Sequence, residues 1–212
     1  PTSVTGAITP KALTVSGVVV ADKVYDGSTT ATITTGGNLS GVLAVDSGNV
    51  VLSAGSAVFG SSNVAYLAGS VTSQSVTLSG YGLTGTAAGN YSVTQPSGVL
   101  ATIRPKALTV SGTTVADKVY DGTNSASLSS LGTLQGLVEG ESLQLQASAR
   151  FDQQDAGLRS ALISYQLLDA RADATRMRSG ATTATAPVGL ASNYQLREAQ
   201  QSVVARITPK EV

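Results

Sequence analysis

The chain contains an internal repeat, and this repeat restricts the folds open to it more than any other feature. Residues 8–33 and 103–128 are identical at 18 of 26 aligned positions, a spacing of 95 residues. The opening letters of the first copy, Ile-Thr-Pro-Lys, return at 207–210. Repeats of this length are typical of tandem domains, because a segment of this size can hold one small core.

The spacing of the repeat predicts two complete modules and two partial ones. The complete modules are 8–102 and 103–206. Residues 1–7 match the end of a module and are expected to be the tail of a preceding one, whereas 207–212 are expected to start the next. The sequence therefore predicts a monomeric slice through an array, whose partners are neighbouring modules of the same chain.

The second module carries a charged insert, at about residues 169–188. Within it, the segment 167–178 reads LLDARADATRMR. Asp169 is a suitable N-cap, and Asp173 stands three positions before Arg176, which places the two charges on one helical face. This pattern predicts a short helix in the second module.

Apolar and polar residues alternate through short runs in both modules. Val76 and Leu78, for example, alternate with Thr77 and Ser79. Alternation with a period of two predicts half-buried strands. The chain also has 23 glycines and only 12% charged residues, which suits strands and tight turns better than helices. The sequence predicts an all-β fold of two tandem elongated β-rich modules, sandwich-like or β-grasp-like.

The residue types that the chain lacks exclude several classes of function. It has no Cys and no His, which removes disulfides, thiol nucleophiles, serine–histidine relays and the usual zinc ligands. Lys plus Arg and Asp plus Glu are both 13, so the chain lacks the positive excess of nucleic-acid-binding domains. The sequence has no run of 18 apolar residues and therefore predicts no membrane-spanning helix. We expect no enzyme activity, no cofactor and no metal site.

Two short motifs recur at equivalent positions of the modules. An Asp-Gly pair favours a turn, because glycine accepts a positive φ and aspartate hydrogen-bonds its own turn. The tyrosine before each pair is bulky in a chain with few aromatics, so we expect it to anchor a core. The motif residues are Tyr25, Asp26, Gly27, Asn90 and Tyr91 in the first module, and Tyr120, Asp121, Gly122, Asn193 and Tyr194 in the second.

Three alternatives remain open for the charged residues near these motifs. Asp22 and Asp26, with Asp117 and Asp121 in the second module, could offer oxygen ligands to Ca²⁺, although the spacings of known calcium loops are absent. Asp22 and Lys23 could form a local ion pair. A surface module without cysteine could also carry an isopeptide crosslink, for which Lys11 or Lys23 with Asn90 is the pair to test.

The string ALTVSG…ADKVYDG…NY…ATIRPKALTV resembles the YDG domain family, which is related to the MBG-type repeats. Residues 24–27 and 119–122 carry the signature, and the resemblance spans both modules. Such modules occur in tandem in very large secreted bacterial surface proteins, many of them similar to filamentous-haemagglutinin-type adhesins. The resemblance implies an extracellular location on the bacterial cell surface and a role in adhesion and biofilms. The insert departs from the family's usual short turn.

These observations support two functional hypotheses. The first is a structural spacer, a stalk repeat that projects a distal binding region of a large bacterial surface adhesin. The second is a ligand-binding adhesin module that contacts anionic surface glycans or matrix. Residues 103–212 hold 21 of the 26 charged residues, and guanidinium groups pair well with carboxylates, phosphates and sulfates. The candidate contacts lie in the insert and are Arg171, Arg176 and Arg178.

Overall fold

The computed structural model describes residues 5–170 and 189–211. The chain divides into two compact units, Pro1–Arg104 and Pro105–Val212. The division falls after Arg104, because Ile103 and Arg104, with which the second copy of the repeat opens, pair with a strand of the first unit. Both units are built from β-strands, so the all-β fold predicted from the alternation is confirmed.

The strands of the first unit follow one another with short turns. They are β1 (Lys11–Val20), β2 (Lys23–Val24), β3 (Thr30–Ala31), β4 (Ile33–Ser40), β5 (Val51–Ser53), β6 (Ser56–Phe59), β7 (Ala65–Leu67), β8 (Ser70–Thr72), β9 (Gln74–Ser79), β10 (Gly82–Thr84), β11 (Tyr91–Val93), β12 (Val99–Ala101) and β13 (Ile103–Arg104). A three-stranded sheet has the order β11-β1-β4, and a four-stranded sheet has the order β12-β9-β6-β3. Strand pairs β10-β5, β13-β2 and β7-β8 complete the unit.

Over its described residues, the second unit repeats this plan with fewer and longer strands. They are β14 (Lys106–Val115), β15 (Lys118–Val119), β16 (Ser125–Ala126), β17 (Leu128–Gln135), β18 (Leu143–Phe151), β19 (Gly157–Asp169), β20 (Tyr194–Leu196) and β21 (Gln200–Thr208). Here the order β17-β14-β20 matches β4-β1-β11, and the second sheet has the order β15-β21-β19-β18-β16. The units therefore share one topology.

The core of each unit lies where the apolar faces of its strands meet. In β9, Val76 and Leu78 are buried while Thr77 and Ser79 are exposed, as the alternation predicts. In the second unit, a cluster forms from Phe151, Ala161, Ala205 and Ile207, and Val115 of β14 packs against it from the other sheet. Two sheets with a shared apolar interior correspond to a sandwich-like module.

In each unit, an antiparallel strand pair, β1 with β4 or β14 with β17, contains two facing glycines. Gly17 and Gly37 have φ of +71° and +91°, and their neighbours in the β1–β4 register place them opposite each other. Gly112 and Gly132 repeat the pair at φ of +77° and +81°. A Cβ atom on Gly132 would lie 2.6 Å from the Ser111 carbonyl oxygen, so this strand pair leaves no room for a side chain there.

The helix predicted at 167–178 is wrong for its first three residues. Leu167, Leu168 and Asp169 belong to β19, and they pair with residues at the start of β18. Ladder hydrogen bonds to β18 satisfy their backbone, which outweighs a weak local preference for helix. Residues 171–178 lie outside the described residues. In the part of the chain that is described, no helix has the length and apolar character of a membrane span.

Candidate functional site

The Tyr-Asp-Gly motif of the first unit forms a turn held by a lysine. Gly27 has a φ of +78°, and the Ser28 N–H donates to Asp26 Oδ1 at 2.9 Å, which closes the turn expected of an Asp-Gly pair. The Lys23 ammonium donates to Asp26 Oδ1 at 2.7 Å, to the Ser28 carbonyl at 2.8 Å and to the Thr30 carbonyl at 3.1 Å. We call this arrangement of Lys23, Asp26 and Ser28 the lysine clamp of the first unit.

The second unit reproduces the lysine clamp with Lys118, Asp121 and Thr123. The Lys118 ammonium lies 2.7 Å from Asp121 Oδ1 and 2.8 Å from the Thr123 carbonyl oxygen. It also stands 6.0 Å from the centroid of the buried Phe151 ring, as Lys23 stands 5.6 Å from that of Phe59. The lysine stem thus runs along core surface while its charge is paired outside, a geometry that suits an amphipathic side chain.

The clamps change the acidity of their aspartates. The pKa of Asp121 falls to about 2, because the Lys118 ammonium donates a hydrogen bond to its carboxylate and Thr123 adds two more. At Asp26, burial acts to raise the pKa, but the hydrogen bonds from Lys23 and Ser28 outweigh it and the pKa lies below its ordinary value. Both carboxylates are therefore ionised near neutral pH and serve as fixed acceptors.

A second aspartate in each unit holds the strand by which the chain leaves. Asp22 Oδ1 accepts the Thr102 N–H at 2.8 Å, and Asp22 Oδ2 accepts from Arg104 Nη2 at 3.1 Å. The pKa of Asp22 is lowered by the bond from Thr102 first and by that from Arg104 next. Asp117 Oδ1 accepts the Arg206 N–H at 2.7 Å in the second unit. Each of these aspartates accepts a hydrogen bond from the backbone N–H that directly precedes the pairing of Ile103 with β2 or of Ile207 with β15.

The tyrosine of the first Asn-Tyr pair joins β11 to the turn after β4. The Tyr91 hydroxyl donates to Asp46 Oδ2 at 2.7 Å and accepts the Leu43 N–H at 3.2 Å. The hydrogen bond to Asp46, followed by burial, raises the pKa of Tyr91. The ring packs against Leu13 and Val50 in the core.

The second unit uses the same device, with Glu141 in place of aspartate. The Tyr194 hydroxyl donates to Glu141 Oε2 at 2.7 Å and accepts the Val138 N–H at 3.1 Å. Burial, and then the bond to Glu141, raises the pKa of Tyr194 to about 12. Sequence reasoning did not single out Asp46 or Glu141. Their separation by the repeat period of 95 residues was the signal that could have found them.

The two motif tyrosines differ in burial. The expectation that each anchors a core holds for Tyr25, which is 5% exposed, and is wrong for Tyr120, which is 36% exposed. Tyr120 lines an open cavity of about 540 Å³ together with Ala156, Pro209 and Lys210. Tyr120 still contributes through its backbone, because its N–H donates to the Thr208 carbonyl at 2.8 Å.

The alternatives for the charged residues can be compared with this geometry. Lys23 pairs with Asp26 and not with Asp22, so the local pair predicted between Asp22 and Lys23 is wrong. The Lys23 ammonium is directed at the clamp, which also speaks against a crosslink from Lys23 to Asn90. The described residues contain no group of three or more acidic side chains that could hold a metal ion, and the aspartate oxygens accept protein hydrogen bonds instead.

The insert leaves and re-enters the second unit at one point. The Ala170 N–H donates to the Gly189 carbonyl at 3.3 Å, and Asp169 Oδ1 accepts the Ala191 N–H at 2.7 Å. We call these contacts the stem of the insert. The predicted ligand contacts Arg171, Arg176 and Arg178 lie outside the described residues.

The first and last segments of each unit run side by side in the same direction. In the first unit, β1 pairs in parallel with β11, with Lys11 opposite Tyr91. The segments meet again where β2 pairs in parallel with β13, with Val24 opposite Arg104. The same arrangement joins β14 to β20 and β15 to β21. In the first unit, the first segment is 11–24 and the last segment is 91–104. The chain enters at Lys11, beside the start of the last segment, and leaves at Arg104, beside the end of the first segment.

A family model described as YDG domain matches residues 9–98 and 104–202. No curated protein and no solved structure matches the chain. The two matched ranges together cover most of the chain, and each of them contains one lysine clamp and one Asn-Tyr pair.

Proposed function

Because this chain belongs to the YDG domain family, we propose that its two modules are structural spacers in the stalk of a large bacterial surface adhesin. In this role the modules lie outside the cell and project a distal binding region. The neighbouring modules of the same chain are their partners. No catalytic step is part of the proposal.

The observation that carries the proposal is the parallel course of the terminal segments. In the first unit the chain enters at Lys11 and leaves at Arg104, which lies opposite Val24. The fourteen residues from Lys11 to Val24 are largely extended, and an extended chain spans about 3.3 Å per residue, or up to about 40 Å in all. A module whose entry and exit are separated in this way adds length to a chain.

The charged side chains of the motifs give further support. The ammonium groups of Lys23 and Lys118 are engaged in the clamps, and Asp22 and Asp117 are engaged with backbone of the exit segments. Charges used in this way stabilise a fold. The repeated residues therefore favour a structural role over recognition of a ligand.

The spacer proposal can be tested by measuring height above a cell surface. One, two or four copies of the chain would be placed between an outer-surface anchor and a reporter epitope, and the height of the epitope would be measured by fluorescence nanometry. A spacer requires the height to rise with each copy. An epitope that stays at one height would contradict the proposal. In the native bacterium, the modules should be digested by protease added to intact cells.

The second candidate is binding of anionic glycans or matrix through the insert. The concentration of charge in residues 103–212 favours it, and so does the stem, since loops on a rigid scaffold commonly carry binding. The test is retention on heparin of the whole chain and of a triple variant, Arg171→Ala, Arg176→Ala and Arg178→Ala. A matched control replaces Arg150 and Arg206 with Ala. Equal retention of all three proteins would exclude the insert as the binding site.

A further inference from the structure

The parallel terminal segments have a mechanical consequence. Tension along the chain draws the first segment of a unit back toward its N-terminal end and the last segment onward toward its C-terminal end. Since β2 and β13 are parallel neighbours, these pulls slide them past each other. The slanted, evenly spaced hydrogen bonds of a parallel ladder are then strained together rather than one after another.

Hydrogen bonds are concentrated where this sliding would occur. In the first unit, the Lys23 N–H donates to the Thr102 carbonyl at 2.9 Å, and the Tyr25 N–H donates to the Arg104 carbonyl at 2.8 Å. The Asp22 carboxylate accepts the Thr102 N–H at 2.8 Å. The exit segment is therefore tied to residues 22–25 by both backbone and side chain.

The second unit concentrates its bonds at the same place. The Tyr120 N–H donates to the Thr208 carbonyl at 2.8 Å, and the Thr208 hydroxyl donates to the Lys118 carbonyl at 3.3 Å. Asp117 Oδ1 accepts the Arg206 N–H at 2.7 Å. The aspartate thus accepts the equivalent backbone N–H in both units, although that N–H belongs to Thr102 in the first and to Arg206 in the second.

We propose that these parallel segments, with the aspartate at position 22 or 117, form a shear clamp that resists unfolding when the module is pulled through its two ends. The biological use of this clamp rests on the proposed stalk function, because a stalk that joins a cell to a bound surface is under tension. The lysine clamp supports the shear clamp by fixing the turn that directly follows β2 or β15.

Single-molecule force spectroscopy tests the geometry within one unit. The chain has no Cys, so introduced cysteines are the only attachment points for handles. Thr9→Cys with Lys106→Cys loads the first unit end to end. Thr9→Cys with Ser40→Cys pulls apart the antiparallel β1–β4 pair, starting at the end where Thr14 lies opposite Ser40. In this geometry the ladder bonds break one after another. We expect the end-to-end unfolding force to be at least about twofold higher, because shear strains the ladder bonds together.

Equal or lower force in the end-to-end geometry would overturn the shear clamp. That result would leave the spacer proposal untouched, because the spacer is tested by height and not by force. Conversely, an epitope height that does not rise with copy number would remove the spacer while a high end-to-end force would still establish the clamp.

The role of the aspartate is tested in the second unit, with handles at Lys106→Cys and Glu211→Cys. Asp117→Ala removes the acceptor for the Arg206 N–H and should lower the unfolding force. Asp117→Asn keeps an acceptor oxygen and should retain most of it. Asp152→Ala, in the turn between β18 and β19, is the matched control. An unchanged force in Asp117→Ala would remove the aspartate from the clamp, and if that variant does not fold, the comparison of pulling geometries decides.

Discussion

Single polar side chains tie together parts of the chain that are either distant or close in sequence. Tyr91 and Tyr194 each bring a phenol to a carboxylate in an early turn. Lys23 and Lys118 each close a turn of their own motif. Because the two units carry these groups in parallel, one unit can serve as the control for the other.

The acid stability of the second unit should depend on Asp121. Its pKa falls from 3.8 to about 2 on folding, so its ionised form stabilises the folded state. The stabilisation is fully present above pH 3.8 and is lost as the pH falls toward 2. We expect Asp121→Asn to flatten the fall in melting temperature over this range. Melting curves followed by circular dichroism at half-unit steps, with Asp152→Asn as control, measure it; parallel curves for wild type and D121N would contradict it.

Loss of the hydroxyl should have different effects on stability at two buried tyrosines, Tyr165 in β19 and Tyr81 in the turn after β9. The Tyr165 hydroxyl lies 2.7 Å from Thr113 Oγ1 and 2.8 Å from Gln201 Oε1. The Tyr81 hydroxyl is buried and has no partner among the described residues. The position of the first unit that corresponds to Thr113, 95 residues earlier, is Val18, which has no hydroxyl to offer.

We expect Tyr165→Phe to lower the free energy of unfolding by about 1–2 kcal/mol, whereas Tyr81→Phe should leave it unchanged or raise it. Urea denaturation of the two variants measures the difference. A larger loss in Tyr81→Phe than in Tyr165→Phe would show that its hydroxyl has a partner after all.

At the level of strands and turns, the sequence was informative where the signal is local. The alternation around Val76 and Leu78 predicted β9, and the Asp26-Gly27 pair predicted the turn. The parallel pairing of β2 with β13 was not predictable, because a two-residue strand has no readable period and its partner is 80 residues away. Leu167 to Asp169 were assigned to a helix because the pattern does not reveal that β18 is there to pair with them.

The facing glycines of the β14–β17 strand pair should tolerate no side chain at one of the two positions. A Cβ on Gly132 would lie 2.6 Å from both the Ser111 carbonyl oxygen and Thr113 Oγ1, at a φ of +81°. Gly122 has a similar φ of +78° with nothing within 4 Å of its Cβ position.

Gly122→Ala therefore isolates the backbone cost, about 1–2 kcal/mol, and Gly132→Ala adds the steric clash. We expect Gly132→Ala to reduce the free energy of unfolding by at least about 1 kcal/mol more than Gly122→Ala does. Urea denaturation measures both, and equal losses would show that the β14–β17 pair can open to admit the methyl group.

On the scale of the whole molecule, the chain carries two versions of one module that differ mainly in loops. The first unit has the β7–β8 hairpin, and the second has continuous β18 and β19 and an insert. The lysine clamps, the Asn-Tyr pairs and the parallel ends are present in both. Variation is thus tolerated at the loops, while the residues that tie the ends together are kept.

Removal of the insert should leave the second unit folded. The stem holds Ala170 and Gly189 within one hydrogen bond of each other, so a direct or two-glycine connection can replace residues 171–188. We expect the melting temperature to change by less than about 3 °C, since shortening a connection whose two ends already meet changes its closure entropy little. A matched deletion of β7 and β8 residues 65–72 tests whether the hairpin of the first unit is equally dispensable. A large fall in melting temperature on removing 171–188 would show that the insert packs on the fold.

The parallel ends also bear on how a gene for such a protein can change. Each unit ends at a tetrapeptide, 103–106 or 207–210, that matches the one opening the copy at Ile8 in at least three of its four residues. The boundaries between copies in this chain therefore have nearly the same amino-acid sequence. Unequal recombination between two copies deletes or duplicates one whole module and recreates a boundary that already existed. The length of the protein can then be inherited as a copy number, without the evolution of any new junction.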